Sequence, residues 1–345
     1  MEKISIHTGS QVSQIIIGEK WTDIKKYLPE KKIVIITDNN VYRIYGNNFP
    51  DYPVISIDPG EASKRLEIIG NLTEKLLNIG IDRADFILGI GGGVVCDITG
   101  FLASIYMRGV RFGFISTSLL SQVDASVGGK NGVNSGYVKN LLGTFNQPDF
   151  VVCDPAMLYT LTDDEYLSGL AELVKMAIIM DYALFERIEK NTERILQRDT
   201  ALMESLIYNS ILLKAAVVRE DEKEKGTRMV LNFGHTFGHV IETLSDQKHG
   251  LAIASGMIIA AYISHMEDYL SVEERNRIKN LIYRLNLVRK FNIVPARFEE
   301  MISSDKKKYG DEISFIMIKS IGNAIIRKVK IRSLIEMYGK INIMA

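Results

Sequence analysis

The chain has 345 residues, 46% apolar and 24% charged, which gives room for two domains with cores of their own and is the composition of an ordinary soluble globular protein. Its 42 basic residues are matched by 42 acidic ones, which argues against a general polyanion binder. The two cysteines, Cys96 and Cys153, lie in what read as buried elements, so a disulfide framework is not expected and a reducing cytoplasm is.

Met1 to His7 lacks the apolar core of a signal peptide. Lys32–Thr37 is a buried-strand pattern, and Asp38-Asn39-Asn40 after it is a turn and helix start. Tyr52–Ile57 is a second strand, ending at Asp58-Pro59-Gly60. Ser63–Ile79 carries helical periodicity through Leu66, Ile69, Leu72, Leu76 and Ile79, and stops near Gly80. Phe86–Ile90 is a third strand that runs into Gly91-Gly92-Gly93, and Arg111–Ser116 and Phe150–Cys153 supply two more. Strand and helix in alternation imply a parallel sheet covered by helices. After Asp154-Pro155 the texture changes: Asp163 to about Tyr269 is almost wholly helical, and Ile313–Ile318 is a short alternating segment. The expected division is an α/β domain over residues 1–155 and a mainly helical domain over 156–345. Within the second, the apolar stretch around Leu251 to Ile263 reads as too short and too rich in small residues to span a bilayer. The Lys306-Lys307-Lys308 run reads as a solvated loop with one member able to face inward.

Two segments carry chemistry. A strand that ends in three glycines and opens a helix lets backbone N–H groups approach a pyrophosphate, at a helix end that favours negative charge. The pattern is not G-x-G-x-x-G. Asp97, one turn further on, is either a helix-start acid or a ribose or nicotinamide contact. Asp38 at a strand end and the turn Gly60-Glu61-Ala62-Ser63-Lys64 suit ribose hydroxyls, with helix capping the plainer account of Asp38. The second segment, Leu231 to His239 followed by His249, contains three of the five histidines. His235 and His239, four apart, share a helix face and could form half of a zinc site. A distant Ala171-Glu172-Leu173-Val174-Lys175 can add a carboxylate.

Taken in order, Gly91-Gly92-Gly93-Val94-Val95-Cys96-Asp97 with Arg108-Gly109, Ser116 to Lys130, Lys139-Asn140-Leu141-Leu142-Gly143, Gly169 to Lys175, Asp221 to Arg228, the histidine segment and Asp305-Lys306-Lys307 resemble the 3-dehydroquinate synthases over nearly the whole chain. The resemblance implies a Rossmann-like nucleotide-binding domain followed by a helical metal- and substrate-binding domain. It also implies conversion of 3-deoxy-D-arabino-heptulosonate 7-phosphate into 3-dehydroquinate and phosphate, a step of the shikimate pathway. In that family NAD is used catalytically with a divalent metal, zinc or cobalt. One site oxidises a hydroxyl, eliminates phosphate, returns the hydride, opens the ring and closes a carbocycle by an aldol step, and the departing phosphate is thought to take the proton.

Carried over residue by residue, the resemblance puts the metal on Glu172, His235 and His249, and moves His239 to substrate binding or a supporting role. Asp124, Lys130, Asn140, Lys175, Lys214, Arg228, Asn232, His239 and Lys307 are the implied catalytic and substrate residues. Arg108 is the arginine that reaches a neighbouring subunit's phosphate pocket, which implies a homodimer. The implied NAD contacts are Asp38, Asn40, Glu61, Lys64, Gly91, Gly92, Gly93, Asp97, Thr117, Ser118, Asp124, Lys130, Lys139 and Thr160. An anionic substrate explains the surplus of cations, among which arginine can grip an oxyanion with two parallel bonds. Departures are few. Ser116 replaces a proline, Ser118 a threonine, and Thr162-Asp163-Asp164-Glu165 lacks a family arginine, which bears on cofactor affinity and not on the reaction. The rival readings are a cyclase of the 2-deoxy-scyllo-inosose synthase kind, whose substrate lacks the carboxylate, a metal-dependent polyol dehydrogenase, and an inactive NAD-binding protein.

Overall fold

A computed structural model describes residues 1–8, 11–136, 138–303, 308–309 and 311–341. The chain forms two compact units, Met1–Leu161 with Met203–Lys223, and Thr162–Leu202 with Glu224–Ala345. The first of these units ends at Leu161 and takes in the later segment Met203–Lys223, whereas the sequence-based division is a single cut at residue 155.

In chain order the first unit has strands β1 (Glu2–Thr8), β2 (Gln11–Ile17) and β3 (Ile33–Asp38), helix α1 (Asn39–Tyr45), β4 (Val54–Ile57), α2 (Leu66–Ile79), β5 (Phe86–Gly91), α3 (Gly93–Ile105) and β6 (Arg111–Ser116). The hairpin β7 (Lys130–Ser135) and β8 (Val138–Phe145) and then β9 (Phe150–Cys153) follow. Seven strands lie in the order β1-β2-β9-β6-β5-β3-β4. Only β1 is antiparallel to its neighbour. The β-branched run of β3 is buried up to Thr37 and the apolar and glycine run of β5 is buried along its length, as strands covered on both faces must be. The order β4-β3-β5-β6-β9 is a doubly wound 2-1-3-4-5 sheet, whose direction of winding reverses between β3 and β5. Ligands of such sheets bind outside the carboxyl ends of the strands at that reversal. Asp38 ends β3 and Gly91 ends β5, so the two candidate nucleotide segments meet at the position that topology alone selects. The hairpins β1–β2 and β7–β8 and the antiparallel edge are additions to the sequence-based expectation.

The second unit contains α4 (Asp163–Met180), α5 (Tyr182–Lys190), α6 (Thr192–Leu196) and the first residues of α7 (Thr200–Glu220), then α8 (His235–Ser245), α9 (His249–Met266), α10 (Val272–Arg284) and α11 (Pro295–Ser303). A small antiparallel sheet of β10 (Lys308–Tyr309), β11 (Glu312–Ser320) and β12 (Asn323–Lys330) and a last helix α12 (Ile331–Lys340) complete it. Helices α7 and α9 are long and apolar enough to cross a membrane, so length does not dispose of the Leu251–Ile263 stretch as expected. Burial does: 56% and 78% of their apolar windows are inside the fold, as in core helices. Helix α9 packs on α4 and α8 at glycines. A Cβ on Gly250 would stand 1.9 Å from the Ser168 carbonyl oxygen, and one on Gly256 2.0 Å from that of Gly234. The close approach permitted by these missing side chains brings the ends of three helices together.

Candidate functional site

In the first unit the three glycines owe their place to space and not to backbone strain, since none has a positive φ. A Cβ on Gly91 would lie 2.5 Å from Val95, and on Gly93 3.1 Å from Ala125. Gly92 caps α3, leaving the first N–H groups of the helix at the winding reversal. Across from it, Asp38 caps α1 with Oδ1, which accepts from the Asn40 and Val41 amides at 2.9 and 3.0 Å. Capping is thus an observed role of Asp38. Thr117 and Ser118 are buried just beyond β6. Thr160 ends a short helical turn, with its hydroxyl 2.7 Å from that of Tyr45.

Lys64 joins several of the implied cofactor residues. It is 3% exposed, and its Nζ donates to Asp97 Oδ2 at 2.6 Å and Asn140 Oδ1 at 2.5 Å, with Glu61 Oε1 at 3.6 Å. Burial pushes the Asp97 carboxyl up to about 6 in spite of that ammonium. Burial would lower Lys64, but the carboxylates of Asp97 and Glu61 outweigh it and raise the ammonium's pKa. Lys214, on α7, donates to the side chain and the carbonyl of Asp124. Lys130 and Lys139, at the base and near the tip of the hairpin, are exposed, and Arg108 sits in a left-handed turn with φ of 65°.

In the second unit Glu172 and Lys175 are one turn apart on α4, both buried, and Lys175 Nζ donates to Glu172 Oε2. The other oxygen, Oε1, is buried without a hydrogen bond and lies 3.7 Å from His249 Nε2. His235 and His249 are the first residues of α8 and α9. Left-handed Gly234 (φ 80°) turns the chain into α8, in a position with no room for a side chain. Donor atoms of Glu172, His235 and His249 all lie within 4.8 Å of one another. Each imidazole has its other nitrogen engaged: His235 Nδ1 is 3.1 Å from the Phe233 carbonyl oxygen, and His249 Nδ1 is 3.2 Å from Glu242 Oε2. Partners of this kind fix the tautomer and leave Nε2 for a metal. Burial, helped by the charge of Lys175, holds His235 well below the usual histidine range and so in the neutral, ligating form. Burial also works against a proton on His249, but the bond to Glu242 and the charges of Glu172 and Glu242 outweigh it and raise its pKa.

One carboxylate and two imidazoles, with an orphaned buried oxygen among them, fit a divalent metal of the zinc class. His239 is exposed on the same face of α8, its ring 5.1 Å from that of His235. It belongs to a second set of three with Glu242 and His249. Glu242 was missed from sequence, although positions 235, 239 and 242 follow helical spacing and signal it. Arg228 is 1% exposed on the short turn Thr227–Asn232, where Asn232 Nδ2 donates to Glu224 Oε1 at 2.6 Å. Lys307 lies outside the described residues.

Residues 54–168 match the family described as 3-dehydroquinate synthase N-terminal, and residues 169–308 that described as 3-dehydroquinate synthase C-terminal. The 3-dehydroquinate synthase of Dictyoglomus turgidum (strain DSM 6724 / Z-1310) is 38% identical over 98% of this chain and 97% of its own. Among solved structures, a 2-deoxy-scyllo-inosose synthase complexed with carbaglucose-6-phosphate, NAD+ and Co2+ superposes with a TM-score of 0.88 at 24% identity, over 97% of this chain and 98% of that one. The 2-epi-5-epi-valiolone synthase of Streptomyces hygroscopicus subsp. jinggangensis 5008, with NAD+ and Zn2+ bound, gives 0.88 at 23% over 99% of each. At that identity the two structures establish the shared fold, and the sequence match decides among the proteins that have it. The chain belongs to the 3-dehydroquinate synthase family.

Proposed function

We propose that the chain converts 3-deoxy-D-arabino-heptulosonate 7-phosphate into 3-dehydroquinate and phosphate, using NAD bound by the first unit and a divalent metal, zinc or cobalt, bound by the second. The observation that carries this is the convergence of Glu172, His235 and His249 in a chain that matches 3-dehydroquinate synthases along almost its full length. When bound, the metal would acidify a ring hydroxyl and polarise the derived ketone, and NAD would take and return the hydride. The chain's own groups bind and orient. Gly91 to Gly93 and the amides that open α3 receive the pyrophosphate. Asp38 keeps Oδ2 for a ribose hydroxyl, with Asn40, Glu61 and Lys64 beside the same sheet reversal. Asp97, Thr117, Ser118, Lys139 and Thr160 complete the cofactor contacts.

The substrate carries a phosphate and a carboxylate. Lys130, Asn140, Lys175, Lys214, Arg228, Asn232, His239 and Lys307 are the residues that would supply the charge and hydrogen bonds for them. Burial of Lys175, Lys214 and Arg228 supports this, because a lysine or arginine so removed from water has a specific partner or task. Asp124, held by Lys214, orients hydroxyls. The departing phosphate takes the proton in the elimination, in keeping with a site where the described carboxylates already have cationic or metal duties.

The reading is tested by turnover of the heptulosonate phosphate with catalytic NAD and added zinc. Phosphate and dehydroquinate appear in equal amounts without net NADH. Absence of turnover by folded, metal-loaded protein would overturn it, and release of product from a sugar phosphate lacking the carboxylate would favour the cyclitol rival.

The same reading makes the protein a cytoplasmic homodimer. Free, buried Cys96 and Cys153 are in keeping with a reducing compartment. Arg108 reaches the phosphate pocket of the second subunit. Arg108→Ala is then inactive alone, and mixing it with an Arg228→Ala protein restores up to about a quarter of the activity, the share of pockets that statistical reassortment leaves intact. Failure of any rescue in verified mixed dimers counts against a shared pocket.

A further inference from the structure

The hairpin β7–β8 is irregular where it matters most. Val133 pairs with Leu142 and Ser135 with Val138, so Lys139, Asn140 and Leu141 stand opposite Asn134 alone. Bulges of this kind re-aim side chains. Asn140 lies in the left-handed region, with φ of 49°, which asparagine tolerates better than most residues but does not prefer. Asn134 closes the gap. Its Oδ1 accepts from the Asn140 amide at 2.8 Å, its Nδ2 donates to Glu61 Oε1 at 2.8 Å, and its own amide donates to the Lys64 carbonyl at 2.8 Å. Lys64 completes the ring through its bond to Asn140 Oδ1. A carboxylate on one side and an N–H on the other leave one orientation for the Asn134 amide. Asn134 also walls a cleft of about 270 Å³ with Glu61, Ala62, Arg65, Gly136 and Lys139.

We propose that Asn134 is a positioning residue: it clamps the bulged segment Lys139–Leu141 to the turn Glu61–Lys64, so that the groups that meet the nucleotide and the Asn140 amide that meets substrate are set together. The role rests on the reaction proposed above, and acts through Asn140 and Glu61 and not by contact with the reacting atoms. Asn134→Ala loses two side-chain hydrogen bonds, one of them to a carboxylate. NAD dissociation constant rises about tenfold and kcat falls about tenfold. Asn134→Asp keeps an acceptor for the Asn140 amide but sets a carboxylate against Glu61. It therefore recovers most of the lost kcat while NAD binding stays weak, a split that a merely structural residue does not give.

A double-mutant cycle decides the route. In an Asn140→Ala background, Asn134→Ala costs little further kcat, because what it positions is gone. Equal losses in both backgrounds would overturn the proposal. If Asn134→Ala does not fold, unchanged NAD affinity in Asn134→Asp overturns it alone. Hydrogen exchange gives a readout independent of turnover: in NAD-free protein, amides of Val138–Leu141 and Glu61–Lys64 exchange about tenfold faster in Asn134→Ala, and only those of Glu61–Lys64 do so in Asn134→Asp, which keeps the acceptor for Asn140. Wild-type protein that neither binds NAD nor turns over would defeat the assigned reaction, whereas unaltered exchange in the variants would defeat only the role of Asn134.

Discussion

His249→Ala loses its bound metal and its turnover together, and keeps its affinity for NAD. Among the candidate ligands His249 is the informative one to remove. Its Nε2 faces Glu172 Oε1 at 3.7 Å and its Nδ1 faces Glu242 at 3.2 Å. It thereby belongs to both sets of three donors, Glu172–His235–His249 and His239–Glu242–His249. His235→Ala leaves the second set whole, and metal retained there would confuse the result. Changes in the partners around metal ligands typically cost 10–100-fold in affinity, so loss of a ligand weakens zinc binding by more than about 100-fold. The implied NAD contacts are all in the first unit, so NAD affinity stays within about twofold, the size of most remote substitutions. The checks are metal content after dialysis against a weak chelator and an equilibrium titration with NAD. Full zinc occupancy in the variant would remove His249 from the ligand set.

Why some of this was legible in the sequence and some was not follows from the range of the interactions. Glu172 with Lys175, and His235 with His239, are one helical turn apart, so spacing alone puts them side by side. His249 begins a different helix, and its place beside Glu172 depends on the contact of α4 with α9 at Gly250, which no local pattern encodes. The resemblance supplied that ligand, and spacing by itself selected the pair His235 and His239. The parallel strands were readable because both faces are buried and the runs are continuous. The hairpin β7–β8 was not, because Lys139, Asn140 and Gly143 break its alternation around a bulge opposite Asn134.

The domain division shows the same limit. Helix α7 has apolar residues suited to either unit. It is tied to the first by tertiary pairs: Lys214 to Asp124, and Glu204, whose carboxylate covers left-handed Gly18 and meets the N-terminal amine at 3.1 Å. Gly322, with φ of 88°, turns the chain between β11 and β12, and a glycine there could have announced the second of those strands.

Lys175→Met binds zinc more tightly than the wild type and works less well. Glu172 and Lys175 are 1% and 3% exposed, so in metal-free protein the ammonium on Oε2 is the main compensation for a buried carboxylate. Removing one partner of a buried pair typically costs about 3–5 kcal/mol. At roughly 2–4 °C per kcal/mol for domains of this size, the metal-free variant melts on the order of 10 °C lower. A divalent cation held by Glu172 would take over the neutralisation, so the metal-saturated variant recovers most of that loss.

By linkage, whatever destabilises the metal-free state more than the metal-bound one appears as metal affinity, and a neighbouring positive charge that once opposed the metal has also gone. The zinc dissociation constant therefore falls by about 10-fold or more, while turnover falls because the cation assigned to the substrate's anionic group is missing. Glu172→Gln combined with Lys175→Met restores the metal-free melting temperature, since neither charge of the pair is left, and no longer retains zinc, since the carboxylate ligand is gone. Equal losses of melting temperature with and without zinc would mean that Lys175 serves packing alone. Tighter zinc with lower kcat separates its two duties, holding Glu172 poised before the metal arrives and meeting the substrate afterwards.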